Sequence, residues 1–378
     1  MRVVIAMDSF KGSLSSLEAG QAVKTGLLRA FPDAETEICP LADGGEGTAA
    51  ALTAGLRGET VHAAVTGPLG TPVSCTYGIV GDLAAIEMAG AAGLPLVPPE
   101  KRDPMHTTTY GVGEVIRDAI SRGCRRFILG IGGSATNDGG AGMLQALGFD
   151  LSDTDGRPIP YGAAGLAKLR HISAENALAA LQDCTFRVAC DVENPLCGEN
   201  GCSAVYGPQK GADAESIRRM DGWLREYASL AKTVFPESDA SYPGSGAAGG
   251  MGFALRTFLG ASLESGVQIV MEETGLAEKI RAADLVVTGE GRMDAQTAMG
   301  KAPVGVAQLA ARYRKPVIAF AGGIGEGARA CNAAGIQAFF PAVRGVTTLE
   351  EAMRPDAASR NLADSAEQVF RLLRVQLT

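Results

Sequence analysis

The sequence opens with a strand–loop–helix alternation that returns near its C-terminus, and this recurrence limits the possible folds more than any other feature. Residues 2–7 form an apolar, largely β-branched run that leads into a polar loop at 8–13 and a helical segment from about Ser15. A second predicted strand near 36–41 leads into a glycine-rich loop at 42–48 and another helix. Strands that alternate with helices in this way are typical of a parallel sheet.

The C-terminal part of the chain repeats this pattern. It predicts strands at 284–288, 316–321 and 338–343 and helices at about 302–313 and 360–375. The two ends together therefore predict one Rossmann-like, parallel-sheet α/β domain, which is split in sequence into residues 1–60 and 284–378.

The middle of the chain predicts a second, mixed α/β domain inserted between those halves. Its predicted elements are strands at 60–66, 72–80, 83–88, 126–131 and 185–190 and helices at 108–122, at 138–147 and after Asp213. We therefore expect an α/β protein of two domains, with residues 61–283 forming the insert. Two domains suit a chain of 378 residues.

The charge of the chain excludes several classes of partner. The sequence has 34 basic and 42 acidic residues and a formal net charge of −8. An acidic surface repels phosphate backbones and anionic lipid headgroups, so we expect no nucleic acid and no membrane partner. The N-terminal apolar run is too short for a signal peptide, and no apolar run approaches the roughly 20 residues that span a bilayer. These features predict a cytoplasmic protein.

Histidine and cysteine usage narrows the chemistry further. The three histidines lie outside the glycine-rich loops, which argues against a Ser-His-Asp triad or a histidine-rich metal site. The eight cysteines include no C-x-x-C pair, and the loose cluster of Cys190, Cys197 and Cys202 has no nearby histidine. We expect reduced, mostly buried thiols there, with a structural zinc site as the alternative.

Four polar, glycine-rich loops follow the predicted strands of the split domain. In an open parallel sheet, ligands bind beyond the carboxyl ends of the strands, where such loops gather. One loop of this kind is often only a turn, but together they offer carboxylates for a metal and cations for an anionic substrate, as phosphoryl transfer requires. The loops are 8–13, 42–48, 289–294 and 322–325, and their charged residues are Asp8, Lys11, Asp43, Glu46, Glu290, Arg292 and Asp294.

The densest glycine-rich loop, residues 130–142, lies in the inserted domain between a predicted strand and a predicted helix. Glycines let backbone N–H groups approach phosphate oxygens, and a helix N-terminus adds a favourable dipole. The loop is not a Walker A motif, because no G-x-x-x-x-G-K-[ST] occurs in the chain. The structural alternative is a tight crossover in which Thr136 or Asp138 caps the helix.

The same loop contains a dinucleotide-like pattern, Gly130-x-Gly132-x-x-Ala135, with an aspartate about twenty residues further on. This pattern leaves a nicotinamide-dependent hydroxy-acid dehydrogenase as an alternative. Dinucleotide-binding loops pass directly into an apolar helix, however, whereas three polar residues at 136–138 and two glycines intervene here.

Asp191 is the candidate general base. It follows the predicted strand 185–190, where a carboxylate would face a ligand cleft. An aspartate that bonds its own backbone in a turn is the alternative interpretation. The glycine-rich segment 244–252 is predicted to be a flexible loop that closes on a ligand.

Seven motif segments extend along nearly the whole chain. They are DSFKGSLSS (8–16), PLADGGEGT (40–48), GIGGSATNDGGAGM (130–143), CDVENPLCGENGC (190–202), YGPQKGA (206–212), GAAGGMG (246–252) and TGEGRMDAQTAMGKAPVGVA (288–307). Their order, text and spacing closely resemble the bacterial type I glycerate kinase family. Cys202 departs from the pattern at a position where a small residue such as alanine is expected.

The resemblance implies phosphorylation of D-glycerate that depends on ATP and Mg²⁺, at the 2-hydroxyl, giving 2-phosphoglycerate and ADP. It also implies a two-domain α/β architecture with the site in the interdomain cleft, and a role in glyoxylate or sugar-acid catabolism. A kinase of another small hydroxy acid is the first alternative, and the dehydrogenase is the second. The oligomeric state is not specified, and a homodimer is one arrangement that the sequence allows.

The loop chemistry and the resemblance together give a hypothesis for each site residue. Asp191, Lys11 and Arg292 are the expected catalytic residues, and the loops assigned to nucleotide and to glycerate could be exchanged. The expected glycerate-binding residues are Asp8, Ser9, Lys11, Asp43, Gly44, Gly45 and Arg292. The expected nucleotide-binding residues are Gly132, Gly133, Ser134, Thr136, Asn137, Asp138 and Gly139, and the expected Mg²⁺ ligands are Asp43, Glu46 and Asp294.

Overall fold

The computed structural model describes residues 1–45 and 47–375. The chain divides into two compact units. Unit 1 consists of Met1–Asp43, Ala54–Arg57 and Val267–Thr378, and unit 2 consists of Gly44–Thr53 and Gly58–Gly266. The later break in the chain therefore falls at residue 266, before the predicted boundary at 283.

Most of the strands correspond to predicted ones, although the short strands at 150–152, 171–173 and 262–264 were not predicted. They are β1 (Arg2–Met7), β2 (Glu35–Ile38), β3 (Glu59–Thr66), β4 (Pro72–Val80), β5 (Leu83–Glu87), β6 (Arg126–Gly130), β7 (Asp150–Ser152), β8 (His171–Ser173), β9 (Thr185–Ala189), β10 (Ser262–Glu264), β11 (Leu285–Met293), β12 (Val317–Ile324) and β13 (Ala338–Pro341).

The helices range from single turns to long amphipathic segments. They are α1 (Ser16–Ala30), α2 (Thr48–Gly55), α3 (Ala89–Ala92), α4 (Tyr110–Ser121), α5 (Ala141–Ala146), α6 (Ala163–Leu166), α7 (Cys202–Tyr206), α8 (Ala214–Val234), α9 (Ala247–Leu259), α10 (Gly266–Glu273), α11 (Leu276–Ala282), α12 (Ala295–Ala298), α13 (Ala302–Arg312), α14 (Ala330–Ala333), α15 (Leu349–Met353) and α16 (Pro355–Val375). No helix in the described part of the chain is both long and apolar enough to cross a membrane.

Unit 1 contains a five-stranded sheet in the order β13-β12-β11-β1-β2. Every neighbouring pair is parallel, with Val3 beside Leu285 on one side and beside Thr36 on the other. From β1 the chain first adds β2 on one side, and later adds β11, β12 and β13 on the other. The prediction of a parallel sheet made from both ends of the chain is confirmed, and the point where strand order reverses lies between β1 and β11.

The residues of β1 explain its central place. From Val3 to Met7 no side chain is exposed to solvent. Such an uninterrupted apolar run suits a strand that helices cover on both faces. On one of these faces α1 and α16 pack together, and α1 begins at a capping box formed by Ser15 and Glu18.

β11 and β12 continue beyond their predicted ends, so the prediction of loops at 289–294 and 322–325 is largely wrong. Register pairs join Glu290 to Ala321 and Arg292 to Gly323. The glycines allow the two backbones to approach: a Cβ on Gly289 would lie 2.0 Å from the carbonyl oxygen of Phe320. Glycine within a strand can mark close approach as well as a turn.

Unit 2 contains a six-stranded mixed sheet in the order β10-β9-β6-β5-β4-β3. β3, β4 and β5 pair antiparallel, whereas β5, β6, β9 and β10 run parallel. β7 and β8 form a separate antiparallel pair. On α8, Met220, Leu224, Tyr227 and Ala231 are buried, as its predicted apolar stripe requires. The mixed α/β fold class predicted for the middle of the chain is confirmed.

The eight cysteines are all free thiols. Burial raises the pKa of every one of them, to about 11 for Cys39 and Cys75 and to about 12 for Cys197. The thiols of the cluster formed by Cys190, Cys197 and Cys202 are therefore protonated at neutral pH.

The contact between α1 and α16 predicts a strong effect of one added methyl group. A Cβ on Gly26 would lie 2.0 Å from the carbonyl oxygen of Ala363, a backbone atom that cannot move aside. We expect Gly26→Ala to lower the free energy of unfolding by about 1–3 kcal/mol, because overpacking forces the helices apart. Differential scanning calorimetry of the purified protein measures this change.

Gly222→Ala is the matched control. Gly222 lies within α8, and no atom stands within 4 Å of the position that its Cβ would take. Alanine should be neutral there or stabilise by about 0.4–1 kcal/mol, through the entropy of the unfolded chain. Equal Tm values for the wild type and Gly26→Ala would contradict the close packing of α1 on α16.

Candidate active site

A cavity of about 550 Å³ lies within unit 1, at the carboxyl edge of the sheet. Its walls come from the loop after β1, from the ends of β11 and β12, and from the segment after β13. This is the place where strand order reverses, and ligands of open α/β sheets bind at such points. The charged residues that line the cavity are Asp8, Lys11, Asp43, Glu290, Arg292 and Lys301.

Backbone hydrogen bonds between neighbouring segments place Asp8 and Asp43 at this edge. The Asp8 N–H donates to the carbonyl oxygen of Gly289 at 2.9 Å, which extends the pairing of β1 with β11 by one step. The Leu41 N–H donates to the carbonyl oxygen of Met7 at 2.9 Å, so the chain arrives at Asp43 on the other side of β1. The parallel sheet thus brings Asp8 and Asp43 to one end of β1.

The carboxyl group of Asp8 is buried among charges, with only 6% of the residue exposed. Burial, and then the charges of Asp43 and Glu290, raise its pKa from 3.8 to about 7, while the N–H of Ser9 and the charge of Lys11 oppose the rise. Lys11 Nζ donates to Asp43 Oδ2 at 2.7 Å. The Lys11 pKa is raised: burial favours the neutral amine, but Asp43, Asp8 and Glu290 outweigh it.

Glu290 is fixed by a neighbouring turn. Thr297 Oγ1 donates to Glu290 Oε1 at 2.5 Å and accepts the Asp294 N–H at 3.0 Å. Asp294 caps α12 by accepting the Gln296 N–H at 2.9 Å, and its second oxygen lies 3.5 Å from Nε of Arg292. Burial raises the pKa of Glu290, and the charge of Asp294 adds to the effect. The Arg292 side chain remains 73% exposed and so is accessible to a ligand.

The predicted magnesium ligands are only partly brought together. Glu46 lies outside the described residues. Among residues 1–45 and 47–375, no group of three or more Asp, Glu, His and Cys side chains could hold a metal ion. Mg²⁺ usually takes one or two carboxylates and completes its shell with water and phosphate oxygens. Of the predicted ligands, Asp43 lines the cavity and fits that partial role.

The glycine-rich loop 130–142 belongs to unit 2 and is built around Asp138. Its buried carboxylate accepts N–H bonds from Thr109 at 2.9 Å and Gly140 at 3.1 Å, and the Thr109 hydroxyl at 2.8 Å. Burial raises the Asp138 pKa, and these hydrogen bonds oppose the rise. The predicted helix 138–147 begins only at Ala141, because Gly139 and Gly140 adopt positive φ.

Lys210 also supports this loop, although no role for it was predicted from the sequence. Its Nζ donates to Ser134 Oγ at 2.8 Å and to the carbonyl oxygen of Thr136 at 2.6 Å, and the residue is 1% exposed. Burial lowers its pKa to about 8, against the charges of Cys202 and Asp138. The only signal in the sequence was its place in the motif 206–212.

The accessible part of the loop is its glycine apex. Gly132 and Gly133 are exposed, whereas Thr136, Asn137 and Asp138 are buried. Gly44 and Gly45 pack beside this apex: a Cβ on Gly130 would lie 2.9 Å from the Gly44 carbonyl oxygen. Only backbone N–H groups of the apex are therefore available to an anion. Because no helix begins directly after Gly130, the dinucleotide pattern lacks the context that a dehydrogenase requires.

Comparison with known proteins decides the family. The model of the glycerate kinase family matches residues 3–374. The chain belongs to the glycerate kinase family. The "Glycerate 2-kinase" of Escherichia coli K12 is 49% identical over 370 residues, which are 96% of this chain and 97% of that protein. The "Glycerate kinase" of Haemophilus influenzae is 46% identical over 375 residues, 99% of each chain.

A solved structure agrees with this membership. The crystal structure of a protein assigned as glycerate kinase 2 from Salmonella typhimurium LT2 is 46% identical and superimposes with a TM-score of 0.92. The superposition covers 100% of this chain and 99% of that one. The family resemblance and the α/β fold class predicted from the sequence are both confirmed.

The expected site residues of this glycerate kinase family member fall in both units. Asp8, Ser9, Lys11, Asp43, Arg292 and Asp294 belong to unit 1, and Gly44, Gly45, Asp191 and the loop 132–139 belong to unit 2. Asp191 is exposed directly beyond the end of β9, as predicted. Lys301, which lines the unit 1 cavity, was not among the expected residues.

The prediction of a flexible loop at 244–252 is wrong. Most of this segment is buried, and Ala248, Gly249 and Gly250 adopt positive φ, so the regular part of α9 follows only after Gly250. The Gly139 N–H donates to the carbonyl oxygen of Gly249 at 3.0 Å, and a Cβ on Gly249 would lie 2.1 Å from the Thr136 carbonyl oxygen. These glycines allow the segment to pack against the loop 130–142.

Because Asp8 is buried, we expect its replacement by asparagine to raise the free energy of unfolding by an amount that depends on pH. The unfolded chain releases this proton near pH 3.8 and the folded protein retains it to about pH 7, so this carboxyl makes folding less favourable as pH rises between those values. Asp8→Asn keeps an oxygen for the Ser9 N–H and removes the charge. We expect it to raise stability by on the order of 2 kcal/mol more at pH 8 than at pH 5.

Thermal unfolding at the two pH values measures this difference. Asp33→Asn, which replaces an exposed carboxylate in the turn after α1, is the control and should change Tm little at either pH. The same gain for Asp8→Asn at pH 5 and pH 8 would show that its carboxyl group is not proton-linked to folding.

Proposed function

We propose that the protein transfers the γ-phosphoryl group of ATP to the 2-hydroxyl of D-glycerate, giving 2-phosphoglycerate and ADP. Membership of the glycerate kinase family across nearly the whole chain supports this reaction, and the relative named as a 2-kinase supports the position of the hydroxyl. The observation that carries the proposal is the unit 1 cavity. It gathers Lys11, Arg292 and Lys301 with acidic side chains at the ligand-binding edge of a parallel sheet.

The cations supply the charge that phosphoryl transfer needs. Lys11 is held by Asp43, so its ammonium group is positioned before any ligand arrives. Arg292 is exposed, and its planar guanidinium can bind a carboxylate or a phosphoryl group through two hydrogen bonds. We assign both residues to charge stabilisation in the transition state.

The proposed reaction uses Mg²⁺ together with ATP. When bound, it neutralises charge on the β- and γ-phosphates. Asp43, with Asp294 and Glu46, is the proposed source of its protein ligands, and the acidic surroundings of Asp8 suit a cation. Asp294 also caps α12, so it has a structural role of its own.

The glycine apex of unit 2 supplies neutral donors. We assign the N–H groups of Gly132 and Gly133 to the oxygens of the transferring phosphoryl group. Ser134, Thr136, Asp138 and Gly139 fix the conformation of this loop through the contacts described above, and Asn137 Nδ2 donates to Ser203 Oγ at 2.8 Å. Asp191 is the proposed base that orients or deprotonates the glycerate hydroxyl. Cytoplasmic location and a homodimer stay predictions.

The direct test is ³¹P NMR of the purified protein with ATP, Mg²⁺ and D-glycerate. We expect the resonance of 2-phosphoglycerate to grow with that of ADP. A 3-phosphoglycerate resonance would keep the kinase and correct the hydroxyl. If no new ester forms, glycerate is not the acceptor, and a panel of other small hydroxy acids follows.

The role of Asp191 predicts a selective loss of rate. Asp191→Asn should lower kcat by about 10²-fold or more and leave the KM for glycerate nearly unchanged, because a general base acts mainly in the transition state. Steady-state kinetics with a coupled ADP assay measure both constants. Glu193→Gln, an exposed acid in the same segment, is the control and should leave kcat unaltered. A kcat of Asp191→Asn within about threefold of the wild type would exclude the base role.

A further inference from the structure

The unit 1 cavity is too large for glycerate alone. Its volume of about 550 Å³ lies in the range of pockets that enclose drug-sized ligands, about 300–1,000 Å³. A three-carbon acid fills only a small part of such a space. The remainder of the cavity must suit another group.

Part of the lining of this cavity is apolar. Ile324, Val343, Leu349, Ala352 and Met353 form this apolar wall. Ile324 is 40% exposed and Leu349 is 76% exposed. Large apolar side chains exposed around one cavity mark a ligand-binding surface. Glycerate carries a carboxylate and two hydroxyls, so it has no apolar face to cover this wall.

The apolar wall is part of a defined structure. α15, which holds Leu349, Ala352 and Met353, begins at Thr348, whose hydroxyl accepts the Glu351 N–H at 3.2 Å. The Met353 methyl group lies 3.0 Å from where a Cβ on Gly12 would stand, so α15 packs over the loop that holds Lys11. Asn361 of α16 also lines the cavity and offers an amide donor and acceptor.

The cavity therefore suits a ligand that has both an apolar, flat group and a strongly anionic group. Lys11, Arg292 and Lys301 line the same space as the apolar wall. A nucleoside polyphosphate has this division: its base presents apolar faces and a hydrogen-bonding edge, and its phosphates need cations. Switch points of parallel sheets are also common nucleotide sites.

We propose that the unit 1 cavity binds ATP, with the base against the apolar wall and the phosphates at Lys11, Arg292 and Lys301. This inference rests on the proposed function, and it exchanges the ligands assigned from the sequence. The loops of the split domain, expected to bind glycerate, bind the nucleotide.

A bulky substitution in the apolar wall tests this assignment. Ala352→Trp places a large side chain in the space of the base, and Ala357→Trp, on the first turn of α16 and outside the cavity lining, is the matched control. Isothermal titration calorimetry gives the affinities of each variant for ADP and for pyrophosphate, which probes the cationic residues alone. KM values for ATP and glycerate complete the comparison.

We expect Ala352→Trp to weaken ADP binding about tenfold or more, to leave pyrophosphate binding unchanged, and to raise the KM for ATP but not for glycerate. Ala357→Trp should change none of these. Unchanged ADP affinity in Ala352→Trp, with or without a raised KM for glycerate, would overturn the proposal. An equal loss in Ala357→Trp would overturn it too.

A milder variant guards against misfolding of Ala352→Trp. Leu349→Asp changes a side chain that is mostly exposed, so folding should tolerate it. It should weaken ADP severalfold more than pyrophosphate, and an equal effect on both probes would contradict the apolar wall. Failure of glycerate phosphorylation in the ³¹P NMR test, with ADP binding still lost in Ala352→Trp, would reject the proposed substrate and keep the nucleotide site.

Discussion

The pairing of β1 with β11 is the constraint on which unit 1 depends. It joins Val3 to Leu285 and Met7 to Gly289, so the first strand of the chain becomes an interior strand only when a distant segment reaches it. Closing so long a loop costs little more than closing a moderate one, because the entropy cost grows with the logarithm of length. The gain is complete burial of an apolar strand. The same pairing sets Asp8 beside Glu290 at one edge, so the charged cavity exists only after the two ends have met.

The charged edge works against the stability that this pairing provides. Asp8 and Glu290 are buried, and each has a raised pKa because burial disfavours ionisation. The charge of Asp43 adds to the effect at Asp8, and that of Asp294 adds to it at Glu290. Lys11 offsets part of this repulsion through Asp43. Acidic groups retained in such a place are typical of a site that binds cations and cation-bearing ligands, where some stability is given up for function. In unit 2 the buried charged residues have a structural role. Asp138 and Lys210 hold the loop 130–142, whose exposed part consists of glycine backbone.

Local patterns in the sequence were sufficient to predict most helices and strands. They were insufficient where contacts with distant segments determine the structure. The apolar runs of β1 and β9 and the stripe of α8 are local, so their prediction succeeded. The glycine-rich ends of β11 and β12 were predicted as loops. These glycines allow two strand backbones to approach closely, and the sequence alone does not show which strands are neighbours. The start of α5 depends on Gly139 and Gly140 and also on Thr109, far away in sequence, whose hydroxyl accepts the Met143 N–H. Lys210 was given no role, since nothing near it in the chain indicates its burial against Ser134. The charged residues of the cavity were found except for Lys301, but its apolar wall was not, because α15 contributes ordinary apolar residues to it.

The raised pKa values of the eight thiols have a consequence for oxidative chemistry. The thiolate is the form that attacks disulfides and peroxides, and burial keeps it scarce here at neutral pH. Sulfenic acid formation and mixed disulfides with glutathione both begin from that anion. Burial in the folded protein therefore limits the oxidation of these cysteines. Its phosphoryl chemistry should persist under peroxide exposure that silences enzymes with an activated cysteine.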